Sequence, residues 1–169
     1  TLLQTIGIFT VNYVKNKQLD DQRYLAKGST LKRILTQPFL LFAWFSPHKK
    51  LRVFFHRLRG VQIGKNVEIG YFCLIGHVHP QMIKIEDNAV VTAKVTILEH
   101  DNALYYTKRG NVKYGKVIIG KGAFIGEGSI IMPGVEIGEC AIVGALTFVN
   151  KNVPANETVA GNPARLLKK

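Results

Sequence analysis

A period of six governs the second half of the chain. Residues Ile119 to Pro154 divide without remainder into six hexapeptides, opening at Ile119, Ile125, Ile131, Ile137, Val143 and Val149. Each opens with Ile or Val, usually followed by Gly, and carries a small or β-branched residue at its fifth place (Ala123, Ser129, Val135, Ala141, Thr147, Val153). A helix repeats its apolar face every three to four residues and a strand every two. A period of six is instead a very short strand plus a turn, repeated. Three such units close one triangular coil of a parallel β-helix. The large aliphatic fills the interior, and the second-place glycine is read as the residue that bends the corner. Successive coils then stack about 4.8 Å apart as parallel strands.

The same register appears upstream, with hexapeptides opening at Ile63, Ile69 and Ile75 and again at Ile85, Val91 and Ile97. All twelve first places are Ile or Val, although these make up only 32 of 169 residues, so the pattern is not an accident of composition. The fifth place is small or β-branched except at His79 and Asp101, each just before a break in register. Four coils are predicted across residues 61–154 (63–80, 85–102, 119–136 and 137–154), with residues 103–116 expelled as a loop. A loop of that length is usually functional or disordered. Its tyrosines, Tyr105, Tyr106 and Tyr114, argue against disorder.

Residues 1–60 read as a helical, basic cap region. The pattern over 1–27 fits neither period, and Ser29 or Thr30 resembles a helix cap. Residues 38–45 form a dense apolar patch. Ser46-Pro47 predicts an N-cap with Pro at the first helical position. Leu51, Phe54, Phe55 and Leu58 follow on one face, and Gly60 ends the helix. Lys49, Lys50, Arg52, Arg57 and Arg59 cover much of the remainder. Such a basic amphipathic helix either lies on an anionic membrane or closes the open end of the solenoid. The cap reading is preferred. Residues 155–169 are read as a tail of one strand and a short helix.

Lys and Arg outnumber Asp and Glu 23 to 11, a net charge of +12. That favours an anionic partner such as a phosphorylated cofactor, an acidic glycan or a membrane surface. There is no nucleic-acid motif beyond the charge itself. Two cysteines without a metal pattern suit a reduced, cytoplasmic setting, and Cys73, at an inward fifth place, reads as a buried thiol. No apolar run approaches the roughly 20 residues that span a bilayer. Membrane association through the basic N-terminal region stays open.

Four features together resemble the hexapeptide-repeat acyltransferases, specifically the sugar and polysaccharide O-acetyltransferases, over about residues 58–169. They are the repeats, Ile97-Leu-Glu-His-Asp101 before the loop, Val117-Ile-Ile-Gly with Ala123-Phe-Ile-Gly after it, and Val159-Ala-Gly-Asn-Pro-Ala-Arg165 near the end. The resemblance implies a left-handed β-helix, contrary to the usual right-handed crossover. It also implies a homotrimer with active sites between subunits, and direct transfer from acetyl-CoA with no metal required.

His100, at a fourth-place turn at the root of the loop, is the candidate general base. Attack of a sugar hydroxyl on a thioester needs its proton removed as the bond forms, and an imidazole titrates in the right range. Glu99 or Asp101 would orient the ring. The resemblance places the pantetheine arm of CoA at Glu127 and Ala145, its adenine end at Asn150 and Lys151, and its phosphates at Arg165 and Lys168. Tyr105, Tyr106 and Tyr114 either stack on sugar faces or pack against the adjacent subunit. Phe72 stands where galactoside and maltose acetyltransferases carry a sugar-binding Asn. Transfer to an amino-sugar nitrogen is the near alternative. A non-enzymatic scaffold and a γ-type zinc carbonic anhydrase, which would use His77, His79 and His100, are the remaining ones.

Overall fold

The computed structural model describes residues 35–167. The unassigned pattern over 1–27, the cap at Ser29 or Thr30, and Lys168 lie outside them. Two helices, α1 (Pro38–Phe45) and α2 (Lys49–Arg59), precede a parallel β-helix. Its faces are three sheets. Gln62–Ile63, Ile83–Ile85, Val117–Ile119 and Glu136–Ile137 stack in one, and Glu68–Ile69, Val90–Val91, Phe124–Ile125 and Ile142–Val143 in the second. Leu74–Ile75, Thr96–Ile97, Ile130–Ile131 and Phe148–Val149 form the third. These are called faces A, B and C. The predicted register holds throughout, for example Ile63 over Ile85 and Ile125 over Val143.

First and fifth places build the core. Every first-place Ile or Val after Ile63 is buried, as are fifth-place Ala89, Val95, Ala123, Ser129 and Ala141. Cys73 is buried among them with its Sγ donating to the Thr92 carbonyl (2.9 Å), and burial pushes its thiol up to about 11.

The role of the glycines differs from the expectation. The corner is made at the fourth place, where Asn66, Asn88, Gly122, Gly128 and Leu146 have φ between 53° and 70°. Only Gly and, less readily, Asn adopt that left-handed region without strain. The second-place glycines answer to crowding. A Cβ on Gly70 would lie 2.4 Å from the Ala93 amide nitrogen, and one on Gly126 would lie 2.5 Å from that of Ala145.

The solenoid continues past residue 154. Val153 bridges Ile137, and Thr158–Ala160 pairs with Ile142–Val143 as part of a fifth coil. The tail then turns back as an antiparallel strand, Arg165–Leu166, on Val159 and Ala160, where a short helix was expected.

The N-terminal helices cap the first coil, with one correction. The N-cap of α2 is His48, while Ser46 closes α1 with its Oγ on the Phe42 carbonyl. The buried side of α2 is Arg52, Val53, His56 and Arg59, and Leu51, Phe54 and Leu58 face outward. The first coil explains this orientation. Within the first three coils the second-place amides donate to first-place carbonyls of the next coil, as Gly64 does to Ile85 (2.8 Å) and Gly70 to Val91 (2.8 Å). The carbonyls of Ile63, Ile69 and Ile75 have no coil above them. Arg57 (3.3 Å), Arg52 (2.7 Å) and Arg59 (2.9 Å) donate to these three, one per face. The bonds to Ile69 and Ile75 are buried, and a buried carbonyl without a donor costs about 1–3 kcal/mol, so Arg52 and Arg59 must face the coil.

His56 sits inside this cap, its Nδ1 3.2 Å from Arg59 Nη1. Burial, and then the Arg59 charge, pull it from 6.5 down to about 3. The folded chain therefore holds His56 neutral where the unfolded chain takes up a proton. Stability is full above about pH 6.5 and is lost progressively as the pH falls towards 3. Acidification from pH 7 to 5 is expected to cost about 2 kcal/mol through this residue. Urea unfolding of wild type and His56→Gln at both pH values checks it: the variant should lose most of that slope.

Candidate active site

The loop leaves the prism between faces C and A of the second coil. It opens with a strand, His100–Asp101, that pairs antiparallel with Lys113–Tyr114, His100 opposite Tyr114. A short helix, α3 (Ala103–Tyr106), fills the tip. Backbone pairing starts at His100 because the hexapeptide register ends there, which lifts its ring out of a simple outward turn. The side chain is 15 % exposed.

Glu99 holds that ring. The Glu99 side chain is 0 % exposed, and its Oε1 lies 3.0 Å from His100 Nδ1. Oε1 also accepts from the amides of Val78 (2.7 Å) and His79 (2.9 Å), and Oε2 from that of His77 (3.2 Å). Burial alone would push this carboxyl up. The amides of His79 and Val78, its own amide and the His100 charge outweigh burial and hold it below the usual carboxylate range. An ionised carboxylate only accepts, so Nδ1 is the donor and the lone pair of neutral His100 sits on Nε2. Arg59, beneath the same corner, is pulled by burial to about 10, and the Glu99 charge opposes that pull. It stays cationic at neutral pH. Tyr114 stands 6.0 Å from the His100 ring and 5.5 Å, edge-on, from that of His79.

Asp101 is not the ring's partner, nor does it point inward. Once the chain leaves the register at His100, its carboxylate turns to the loop and accepts from the Ala103 amide (2.8 Å). Tyr105 and Tyr106 are exposed on α3, packed edge to face at 5.5 Å. His77, His79 and His100 do not converge on a point. Among the described residues no group of three His, Cys, Asp or Glu side chains is placed to hold a metal ion.

The expected donor residues fall on two edges. Glu127 and Ala145 stack on the corner between faces B and C, where the Leu146 amide donates to the Glu127 carbonyl (2.8 Å). Arg165 follows two layers further along this edge, on the hairpin strand beyond Thr158–Ala160, and is exposed. Glu127 is held by Lys94 of the preceding coil (3.0 Å). Asn150 and Lys151 are exposed on the other edge, between faces C and A, two coils or roughly 10 Å from His100 along the axis. Within one chain face C separates the two sets. Glu99 as the buried acceptor, Tyr114 and Arg59 went unassigned or undecided from sequence. The one available signal was a charged residue immediately before the register break.

Comparison with known proteins agrees with this architecture. Residues 116–151 match the family model for the bacterial transferase hexapeptide (six repeats). YvoF of Bacillus subtilis (strain 168) is 33% identical over 107 residues, 63% of this chain and 59% of that protein. Galactoside O-acetyltransferase of Escherichia coli (strain K12) is 29% identical over 128 residues, 75% of this chain and 60% of that protein. The chain thus spans about three-fifths of the length of these two relatives. A solved galactoside acetyltransferase in complex with coenzyme A superposes with a TM-score of 0.66 over 85% of this chain and 82% of its own, at 23% identity. Residues 116–151 thus match the bacterial transferase hexapeptide, and the described chain shares the left-handed β-helix fold of its structural neighbours.

Proposed function

We propose that this protein is an acetyl-CoA-dependent O-acetyltransferase that acts on a sugar hydroxyl in surface-polysaccharide or lipopolysaccharide assembly. The observation that carries the reading is the buried Glu99 carboxylate fixing the His100 tautomer at the root of the loop. With Nδ1 committed to Glu99, Nε2 accepts the acceptor hydroxyl's proton as its oxygen attacks the acetyl carbonyl. The new C–O bond forms, the C–S bond breaks, and the proton on His100 passes to the departing thiolate. No covalent enzyme intermediate is needed. Glu99, already compensated by three amides, stabilises the transient imidazolium.

The two separated edges support a homotrimer. His100, Asn150 and Lys151 of one subunit would face Glu127, Ala145 and Arg165 of the next across a groove. Ala145 is small and exposed, which leaves backbone open to a pantetheine arm. Arg165 and Lys151 are exposed cations suited to CoA phosphates. The Lys94 ion pair argues that Glu127 contributes shape more than a direct contact.

Release of free thiol from acetyl-CoA, followed across a panel of sugars and nucleotide sugars, tests the proposal. A hydroxyl acceptor supports it, and turnover only with an amino sugar would transfer the reading to nitrogen. Calorimetry with CoA separates both from a scaffold, which would show no binding. Arg165→Ala is expected to raise the KM for acetyl-CoA about tenfold, one lost contact of ~1.4 kcal/mol, with kcat little changed. Steady-state kinetics with varied donor check it.

A further inference from the structure

The cap turns its polar side to the solenoid and leaves an apolar side uncovered among the described residues. α1 is apolar all round. Leu40 and Ala43 are buried beneath it, while Leu41, Phe42 and Phe45 are exposed, Phe45 by 68 %. α2 adds Leu51, Phe54 and Leu58. The two sets form one surface, because Phe55 lies between Phe42 (5.4 Å) and Phe54 (5.5 Å). Phe45 extends that surface to Phe72 on the first coil (5.6 Å). A contiguous face of this kind marks an interaction site. Since the three cap arginines fix the orientation of α2, the face cannot turn inward without stripping the first coil's carbonyls of their donors.

Charge identifies the occupant. Residues 22–67 hold ten Lys and Arg and no Asp or Glu. The other 123 residues hold 13 cations against 11 anions, so nearly all of the +12 net charge is carried by that stretch of sequence. Among its described cations, Arg52, Arg57 and Arg59 bond the first coil and Lys49 pairs with Glu68, while Lys50 and Lys65 are exposed without such partners. Residues 1–34 carry six cations and two acids, and a second copy would repeat the same charge, so each would set like against like. An anionic lipid surface satisfies both features at once: the aromatic and aliphatic face enters the acyl boundary and the cations meet headgroup phosphates. Among the described residues no helix is long and apolar enough to cross a membrane. We propose that the outward face of α1 and α2 is a docking surface for anionic phospholipid membranes.

The full chain can be sedimented with phosphatidylcholine vesicles containing about one-third phosphatidylglycerol, beside pure phosphatidylcholine vesicles. Binding should favour the anionic vesicles and weaken with salt. Trp44, the sole tryptophan, lies on α1, so brominated acyl chains should quench its fluorescence. Leu41→Gln combined with Phe54→Gln should lower binding at least about tenfold with an unchanged melting curve. Lys50→Glu should lower the preference for anionic vesicles. Wild-type chain left in the supernatant with both compositions would overturn the proposal. So would wild-type binding by the double variant, or a double variant whose only change is its oligomeric state in velocity sedimentation, which would assign the face to a second copy.

Discussion

His100→Ala is expected to lower turnover by about 10²- to 10⁴-fold, the usual contribution of a positioned general base. The loss should appear in kcat with the KM for acetyl-CoA little changed, because in the proposed reaction the ring acts on a proton that moves only in the transition state. The fold should tolerate the change. His100 is part-exposed and packs at 6.0 Å against Tyr114 on a two-stranded excursion, outside the twelve-position core. The one structural consequence is that Glu99 loses its imidazole neighbour but keeps three amide donors. Thiol release measured beside a thermal melt separates the two effects. A variant that melts like wild type and retains full turnover would remove His100 from the chemistry and leave the loop without an assigned base.

The solenoid was legible because its constraint is local and repeats. A place whose side chain must fill a narrow prism accepts only Ile or Val, and Ile69, Ile125 and Val143 meet it alike. The meaning of the glycines was not, because two physical demands select the same residue. Gly126 is required by the backbone of the next coil, and Gly128, two places later, by a left-handed corner. The orientation of α2 was not legible for a related reason. Amphipathicity says which residues share a face but not what that face meets. Here it meets the carbonyls of Ile63, Ile69 and Ile75, acceptors that call for Arg57, Arg52 and Arg59. That demand arises only after the coil has closed.

At the site, His100 stood out through its place before the loop, while the choice between Glu99 and Asp101 did not. Both flank the histidine, and the hexapeptide frame would have put Asp101 inside. The break in register reverses this, burying Glu99 and sending Asp101 to the Ala103 amide. Asn150 and Lys151 are separated from Glu127 and Ala145 in one chain because a six-residue step moves round the prism, so residues close in sequence occupy different edges.

Glu99→Gln carries the second large effect, and it divides into two parts that can be measured apart. The carboxylate accepts four hydrogen bonds, from His77, Val78 and His79 amides and from His100 Nδ1. An amide of the same shape must aim its NH2 at donors on one side or the other. If it faces His77, one backbone amide is stranded. If it faces Val78, His79 and His100, three donors are, and the ring loses its anchor as well. The folded state is expected to lose about 1–3 kcal/mol. Removal of the negative charge also leaves an imidazolium at His100 without its compensating neighbour. Even in the milder orientation turnover should therefore fall by roughly 10- to 100-fold, equivalent to about 1.4–2.7 kcal/mol of transition-state stabilisation. A purely structural role would lower the melting temperature and the active fraction while leaving kcat per folded molecule intact. Turnover measured well below the melt, normalised to CoA-binding sites counted by calorimetry, distinguishes the cases. A normal kcat per site would reduce Glu99 to a support of the 77–79 turn, and a reduced kcat with an unchanged donor KM would establish it as the residue that positions the base.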